Sequence, residues 1–174
     1  MSQIIEVQPN SKDAHWLFCL RIGEKSRLHV CFKKIDKLYN QSYSGNVPAI
    51  LAVYDWYCEI RQAEGYLDKE IARLTKVLRK KVKEKIHYVP YCKDSYRLKL
   101  GNPISAAFYR ILDKFDTLMC LSETCFTLGV FKRRRLFAQK TQQYKKAILR
   151  VVTQVSQHKS GTNKESFTLS EKNK

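Results

Sequence analysis

Two groups of residues in this sequence have the types and spacing to do chemistry, and both suit a polyanion. In Asp94-Ser95-Tyr96-Arg97-Leu98-Lys99-Leu100, apolar and polar residues alternate strictly. As an extended strand this segment sends Tyr96, Leu98 and Leu100 to one face and Ser95, Arg97 and Lys99 to the other. Arg and Lys match the O6/N7 edge of guanine and Ser bonds to several bases, so the polar face suits base edges in a major groove. The second group, Phe131-Lys132-Arg133-Arg134-Arg135, opens a helix-periodic segment. Cations at a helix start oppose its dipole, a cost that a phosphate held there would offset, so Lys132, Arg133, Arg134 and Arg135 are candidate phosphate contacts. A third basic group, Arg73, Lys76, Arg79, Lys80, Lys81, Lys83 and Lys85, suits either a phosphate surface or the solvated back of an amphipathic helix. Solvation or edge protection is also open for the strand.

Signals for catalysis are weak by comparison. His15, His29, His87 and His158 are scattered, and no HExxH, Cys-x-x-Cys or glycine-rich phosphate loop is present. A metal-dependent DNA-nicking enzyme needs a close histidine cluster, which the sequence lacks. Asp113 and Asp116 share a helix face at a spacing of three, where capping or ion pairing explains them more simply than paired catalysis. The expectation is a binding protein, not an enzyme, with no cofactor, no metal and no small-molecule substrate.

Charge distribution supports a nucleic-acid partner. The chain carries 33 Lys+Arg against 16 Asp+Glu, for a net charge of +17. Residues 1–70 hold 9 basic and 9 acidic residues, whereas residues 71–174 hold 24 and 7. A charge confined to part of the chain reads as an electrostatic footprint for a polyanion. The start, Met1-Ser2-Gln3-Ile4-Ile5-Glu6, lacks the pattern of a signal peptide, and no run has the ~18–20 apolar residues of a membrane span. Six cysteines without paired spacing suit buried thiols in a reducing compartment. A soluble, cytoplasmic location and no membrane partner are expected.

The elements that must position these groups follow from periodicity. His15 to Ile22 suits strand or helix, Arg27 to Phe32 alternates like a strand, and Ser42 to Asn46 suits a loop. Four helices are expected beyond, near Pro48–Ala63, Leu67–Ile86, Pro103–Phe126 and Lys132–Gln157, with Gly129 ending the third. The third has an apolar face wide enough for a core or a dimer interface. A strand followed by two helices is the order of a ribbon-helix-helix module, in which two protomers pair one strand each and lay the ribbon in the major groove. The first of those helices is longer than such modules usually carry. The expected fold is therefore α+β and mainly α-helical, a ribbon-helix-helix-like DNA-binding module over about residues 94–157 with additional helices and a small strand element. It forms one domain over residues 1–159, followed by a disordered tail over 160–174. Arg27 to Phe32, with Arg27, His29 and Lys33 outward, is the competing ribbon.

From Arg27 to about Val155 the chain resembles the AcaB-type transcriptional regulators of conjugative plasmids and integrating conjugative elements. The resemblance rests on the alternating segment Arg27 to Tyr39, the apolar-aromatic helix Ile50 to Ile60, and the strand running into Asn-Pro at Leu98 to Pro103. Tyr109-Arg110, the Asp113 to Asp116 group and the basic helix from Lys132 complete it. Where many relatives carry an Ala-Arg-His-x-Gly-Leu-like joint, this chain has Glu123-Thr124-Cys125-Phe126-Thr127-Leu128-Gly129. No role of that histidine carries over. The resemblance implies a sequence-specific activator of conjugative-transfer genes that binds double-stranded DNA as a homodimer through a ribbon-helix-helix, with RNA polymerase as a further partner. A non-specific or architectural nucleic-acid-binding accessory of the transfer apparatus is the alternative.

Overall fold

A computed structural model describes residues 3–82, 91 and 93–158. Its elements run β1 (Gln3–Val7), α1 (Lys12–Cys19), β2 (Arg21–Ile22), β3 (Lys25–Ser26), α2 (Arg27–Tyr43), α3 (Val47–Arg79), β4 (Tyr96–Leu100), α4 (Pro103–Thr127) and α5 (Arg134–Gln157). Lys83, Lys85, Ile86, His87, Cys92 and the expected tail 160–174 lie outside the described residues.

The segment Arg27–Phe32 is helix, not strand. Leu28 and Phe32 satisfy a two-residue period only over a short window. Extended to Leu38, the buried positions are Leu28, Cys31, Phe32, Ile35 and Leu38, the stripe of a helix packed on one side. The two helices expected on either side of Gly65 are one. Gly65 sits exposed within α3 with open space around it, and Ala63, Glu64 and Leu67 carry the buried stripe past it. An isolated helical glycine costs about 1 kcal/mol relative to alanine, too little to break a helix this well packed.

The main correction concerns the strand. β4 pairs antiparallel with β1 of the same chain, in the register Gln3↔Leu100, Ile5↔Leu98 and Val7↔Tyr96. The ribbon is thus complete within one protomer, and the other sheet is the short β2–β3 hairpin. Among the described residues, five helices with two small two-stranded sheets are not a ribbon-helix-helix arrangement. The β1 strand escapes a sequence pattern because Gln3-Ile4-Ile5-Glu6-Val7 is too short and mixed to declare a period.

The wide apolar face of α4 is core. Ile104, Phe108, Ile111, Leu112, Phe115, Leu118, Met119 and Cys125 are buried, covered by α3, α5, α1 and α2. Of the two surfaces expected to join two protomers, one edge of β4 is paired with β1 and this helix face is buried within the chain. α4 starts on a capping box, Asn102 with Ser105, followed by Pro103. It ends on Gly129 at φ +67°, where the Gly129 and Val130 amides donate to the Phe126 and Cys125 carbonyls at 3.0 and 2.8 Å. That paired closure needs a left-handed residue, which glycine supplies without strain.

Candidate nucleic-acid interface

α3 and α5 run antiparallel, and polar contacts fix their register. The Arg150 guanidinium meets Glu59 at 2.7 Å. Roughly 16 Å further along α3, by the ~1.5 Å rise per residue, the Tyr144 hydroxyl donates to Glu70 at 2.7 Å. Arg73 also pairs with Glu70, at 2.8 Å. Burial pushes the Glu70 carboxyl up, but the hydrogen bonds from Arg73 and Tyr144 outweigh it and hold the group below its ordinary range. Continued toward its C-terminus, α3 reaches the α4–α5 turn, where Lys81 Nζ donates to the Leu128 carbonyl at 3.1 Å.

Two basic groups that are remote in sequence therefore converge. Arg79, Lys80 and Lys81 at the end of α3 share one end of the bundle with Lys132, Arg133, Arg134 and Arg135. All seven are exposed, and among the described residues none of them has an ion pair. Glu70 is held by Arg73 and Tyr144, and Glu123, on the last turns of α4, stands among Asp13, Asp116, Lys12 and Lys145, its carboxyl pushed up by burial and by the two acids. The start of α5 adds to the site. Its N-cap Arg133 makes no side-chain cap hydrogen bond, and no acid lies in the first turn. Uncapped amides and four cations at one helix start form a seat for an anion. Aromatic packing fixes that start against α4: Phe137 stacks on Phe126 with centroids 4.7 Å apart and meets Phe131 at 5.9 Å.

The candidate base readers lie elsewhere. Arg97 and Lys99 are on the exposed face of the β1–β4 ribbon, as alternation requires, while Leu98 is buried. In register, however, Glu6 stands opposite Arg97, and the Ser95 hydroxyl donates to Glu6. Lys99 acts on Asp36, whose carboxyl is pushed up by burial and pulled back down by that ammonium. Asp36 also accepts from Asn102 Nδ2 at 2.6 Å. The 25 residues of α4, at ~1.5 Å each, separate the ribbon from the α5 start by about 37 Å. The structure thus brings Lys132–Arg135 together with Arg79–Lys81 and not with Ser95, Arg97 and Lys99.

Arg73, counted in sequence with the third basic group, is tied to Glu70 and Tyr144 instead. Among the described residues the histidines do not gather: His15 contacts the Tyr96 hydroxyl at 3.0 Å, His158 lies edge-on to Trp56, and His29 is on an exposed helix face. Among the described residues no cluster of three His, Cys, Asp or Glu could hold a metal ion. Asp116 accepts from the Asn10 amide at 2.8 Å and the Ser11 amide at 2.7 Å, anchoring the start of α1. Sequence inspection missed the pairing of the α3 end with the α4–α5 turn. No sequence signal marks it, because Lys83, Lys85, Lys93, Arg97, Lys99, Arg110 and Lys114 continue the basic residues between Lys81 and Lys132.

No helix among the described residues is long and apolar enough to cross a membrane. No family model and no curated protein matches this chain. Among solved structures, the crystal structure of AcaB from uropathogenic E. coli superposes with a TM-score of 0.66 at 19% identity, covering 89% of this chain and 76% of that one. The chain has an AcaB-like fold.

Proposed function

We propose that this protein is a DNA-binding transcriptional regulator, an activator of conjugative-transfer genes, that grips the phosphate backbone of double-stranded DNA with the basic end of its bundle. The observation that carries the proposal is the convergence of Arg79–Lys81 with Lys132–Arg135 on an exposed surface that no acid neutralises among the described residues. Neutralising phosphates with these cations releases condensed counterions, which gives affinity and strong salt dependence. The regulatory role rests on the fold shared with AcaB and on the sequence resemblance to regulators of conjugative elements. Base reading by Ser95, Arg97 and Lys99 would have to come from a ribbon built within one chain.

The test is titration of a labelled duplex at several salt concentrations, together with footprinting across the promoters of the protein's own element. A steep log–log salt slope and discrete protected sites are expected. A flat slope would remove the phosphate role, and protection spread evenly along the DNA would remove the regulator. The acidic neighbours of Arg97 and Lys99 favour one second reading, an architectural DNA-binding accessory of the transfer apparatus. It predicts the same slope with no preference for any site.

A further inference from the structure

Helix α3 is apolar on two faces. One carries Ala49, Ala52, Trp56 and Ile60 into the core. The other carries Val47, Ile50, Leu51, Tyr54 and Tyr57, spaced i, i+3, i+4, i+7 and i+10, the stripe with which a helix meets a partner. Val47 is 62% exposed, Leu51 59% and Tyr54 64%, and Tyr43 at the end of α2, at 87%, extends the patch. Nothing among the described residues covers it. Scattered exposed apolar residues need no explanation, but a contiguous stripe of this length does.

We infer that this stripe is the surface on which a second copy of the chain docks, α3 against α3 about a two-fold axis. Three observations select that occupant. The 3-and-4 spacing is self-complementary, so the same side chains on a second copy can interdigitate with it, as a two-fold interface requires. The six residues expose on the order of 700 Å² per protomer, taking ~150–250 Å² for each fully exposed aromatic; a standard stable interface takes about 800 Å² per partner. The charge also permits it. From Leu38 to Ile60 there is no Lys or Arg, in a chain that carries 33 of them, so two copies meet there without the repulsion that a net +17 imposes elsewhere. With Asp55 and Glu59 its only ionic residues, the same stretch is unsuited to a phosphate backbone. The interface also leaves the basic ends free, because the run of α3 from Leu51 to Arg79 spans about 42 Å.

Sedimentation equilibrium of the full chain at micromolar concentration, without DNA, tests this independently of the DNA proposal. The expected mass is twice 20.5 kDa. Leu51→Glu/Tyr54→Glu should weaken association by about 100-fold or more, with helical circular dichroism unchanged because both positions are exposed. Val47→Lys/Leu51→Lys serves the same purpose if the first variant is poorly folded. Ile4→Lys, on the exposed ribbon face, should leave the dimer intact. A wild-type mass of 20.5 kDa overturns the inference, as does a stripe variant that stays dimeric. Loss of the dimer in Ile4→Lys, with the stripe variants dimeric, moves the interface to the ribbon and also overturns it. If the wild type is monomeric and a full-length Phe167→Ser/Leu169→Ser variant dimerises, the occupant is the chain's own residues 159–174.

Discussion

The two ends of α4 carry the same residue types in opposite electrostatic settings. At its start, Arg97 and Lys99 project from a strand whose alternation marks them as outward, yet Glu6 faces one and Asp36 the other. Directly opposed residues on one face of an antiparallel pair lie ~4.5–5.5 Å apart at Cβ, well inside the ~10 Å Debye length at moderate salt. Each of these two cations therefore has a carboxylate close by. At the other end, seven cations from two elements stand together and no acid among the described residues answers them. The difference teaches that outward Lys or Arg is a weak signal by itself. What decides the field is whether the fold returns an acid to the same place, and that depends on contacts distant in sequence.

The largest effect should come from Arg133→Ala/Arg134→Ala/Arg135→Ala. Each lost phosphate contact flattens the log–log salt slope by about one unit, so the triple variant should lose about three, on specific and random DNA alike. Stability should not fall with affinity. Cations in the first turn of α5 oppose the dipole by ~0.3–1 kcal/mol each, so thermal unfolding should shift upward or stay put. A variant that keeps the wild-type slope breaks the comparison, because the basic end would then be solvated charge like any other. Arg79→Ala/Lys80→Ala should flatten the slope by about two units. Lys81 is left in place because its ammonium ties α3 to the α4–α5 turn. If the triple variant matters and this one does not, the two basic groups converge in space without sharing a ligand.

How far the sequence revealed this contrast depends on the range of the interaction. Helix starts and stops at Asn102-Pro103 and Gly129 were legible because caps are local chemistry. The alternation of Tyr96 to Leu100 was legible for the same reason, and each side chain lies on the face it was assigned. The partner of that strand was not, since β1 lies some ninety residues away and is too short to show a period. Expecting a two-protomer ribbon followed from that blank, and a strand without a visible partner suggested one from outside. Arg27–Phe32 failed for a different reason, the ambiguity of a six-residue window between periods of 2 and 3.6. At the site, Lys132–Arg135 stood out as a run. That Arg79–Lys81 join it and that Arg73 is claimed by Glu70 and Tyr144 are facts of helix packing, which a single sequence does not display.

The contrast can be sharpened by removing the acids. Glu6→Gln/Asp36→Asn should leave the ribbon with two uncompensated cations and steepen the salt slope by about one unit. The structure should tolerate both changes. In Glu6→Gln the side-chain amide keeps an acceptor for Ser95, and in Asp36→Asn it keeps one for Asn102. Asp36 has its carboxyl pushed above the ordinary value by burial, so its charged form opposes folding. The stability contributed by the protonated form is fully present below the ordinary carboxylate range and is lost as pH rises through the raised value. The Asn variant should therefore be at least as stable as the wild type at neutral pH and lack this pH dependence. An unchanged slope would show that the ribbon is silent for a reason other than its acids, such as being held off the DNA by the rest of the fold.

The smallest effect, and the sharpest discrimination, belongs to Arg97→Ala/Lys99→Ala. A major groove admits a two-stranded ribbon, and nothing in that geometry requires the strands to come from two chains. A base-reading ribbon would lose roughly 1–3 kcal/mol per side chain on the specific site and much less on random DNA. Charge compensation predicts another outcome: a slope changed by well under one unit and an operator-to-random ratio within about twofold of wild type. Folding should not confuse the readout, because both side chains are exposed and Tyr96, Leu98 and Leu100 hold the strand to the core. Truncating Leu98 instead should lower stability, the ordinary penalty for a cavity at a buried leucine. A collapse of the specificity ratio in the Arg97/Lys99 variant, with affinity for random DNA intact, would overturn the comparison. It would mean that Glu6 and Asp36 position the cations for base edges and do not mute them, with the basic end confined to anchoring.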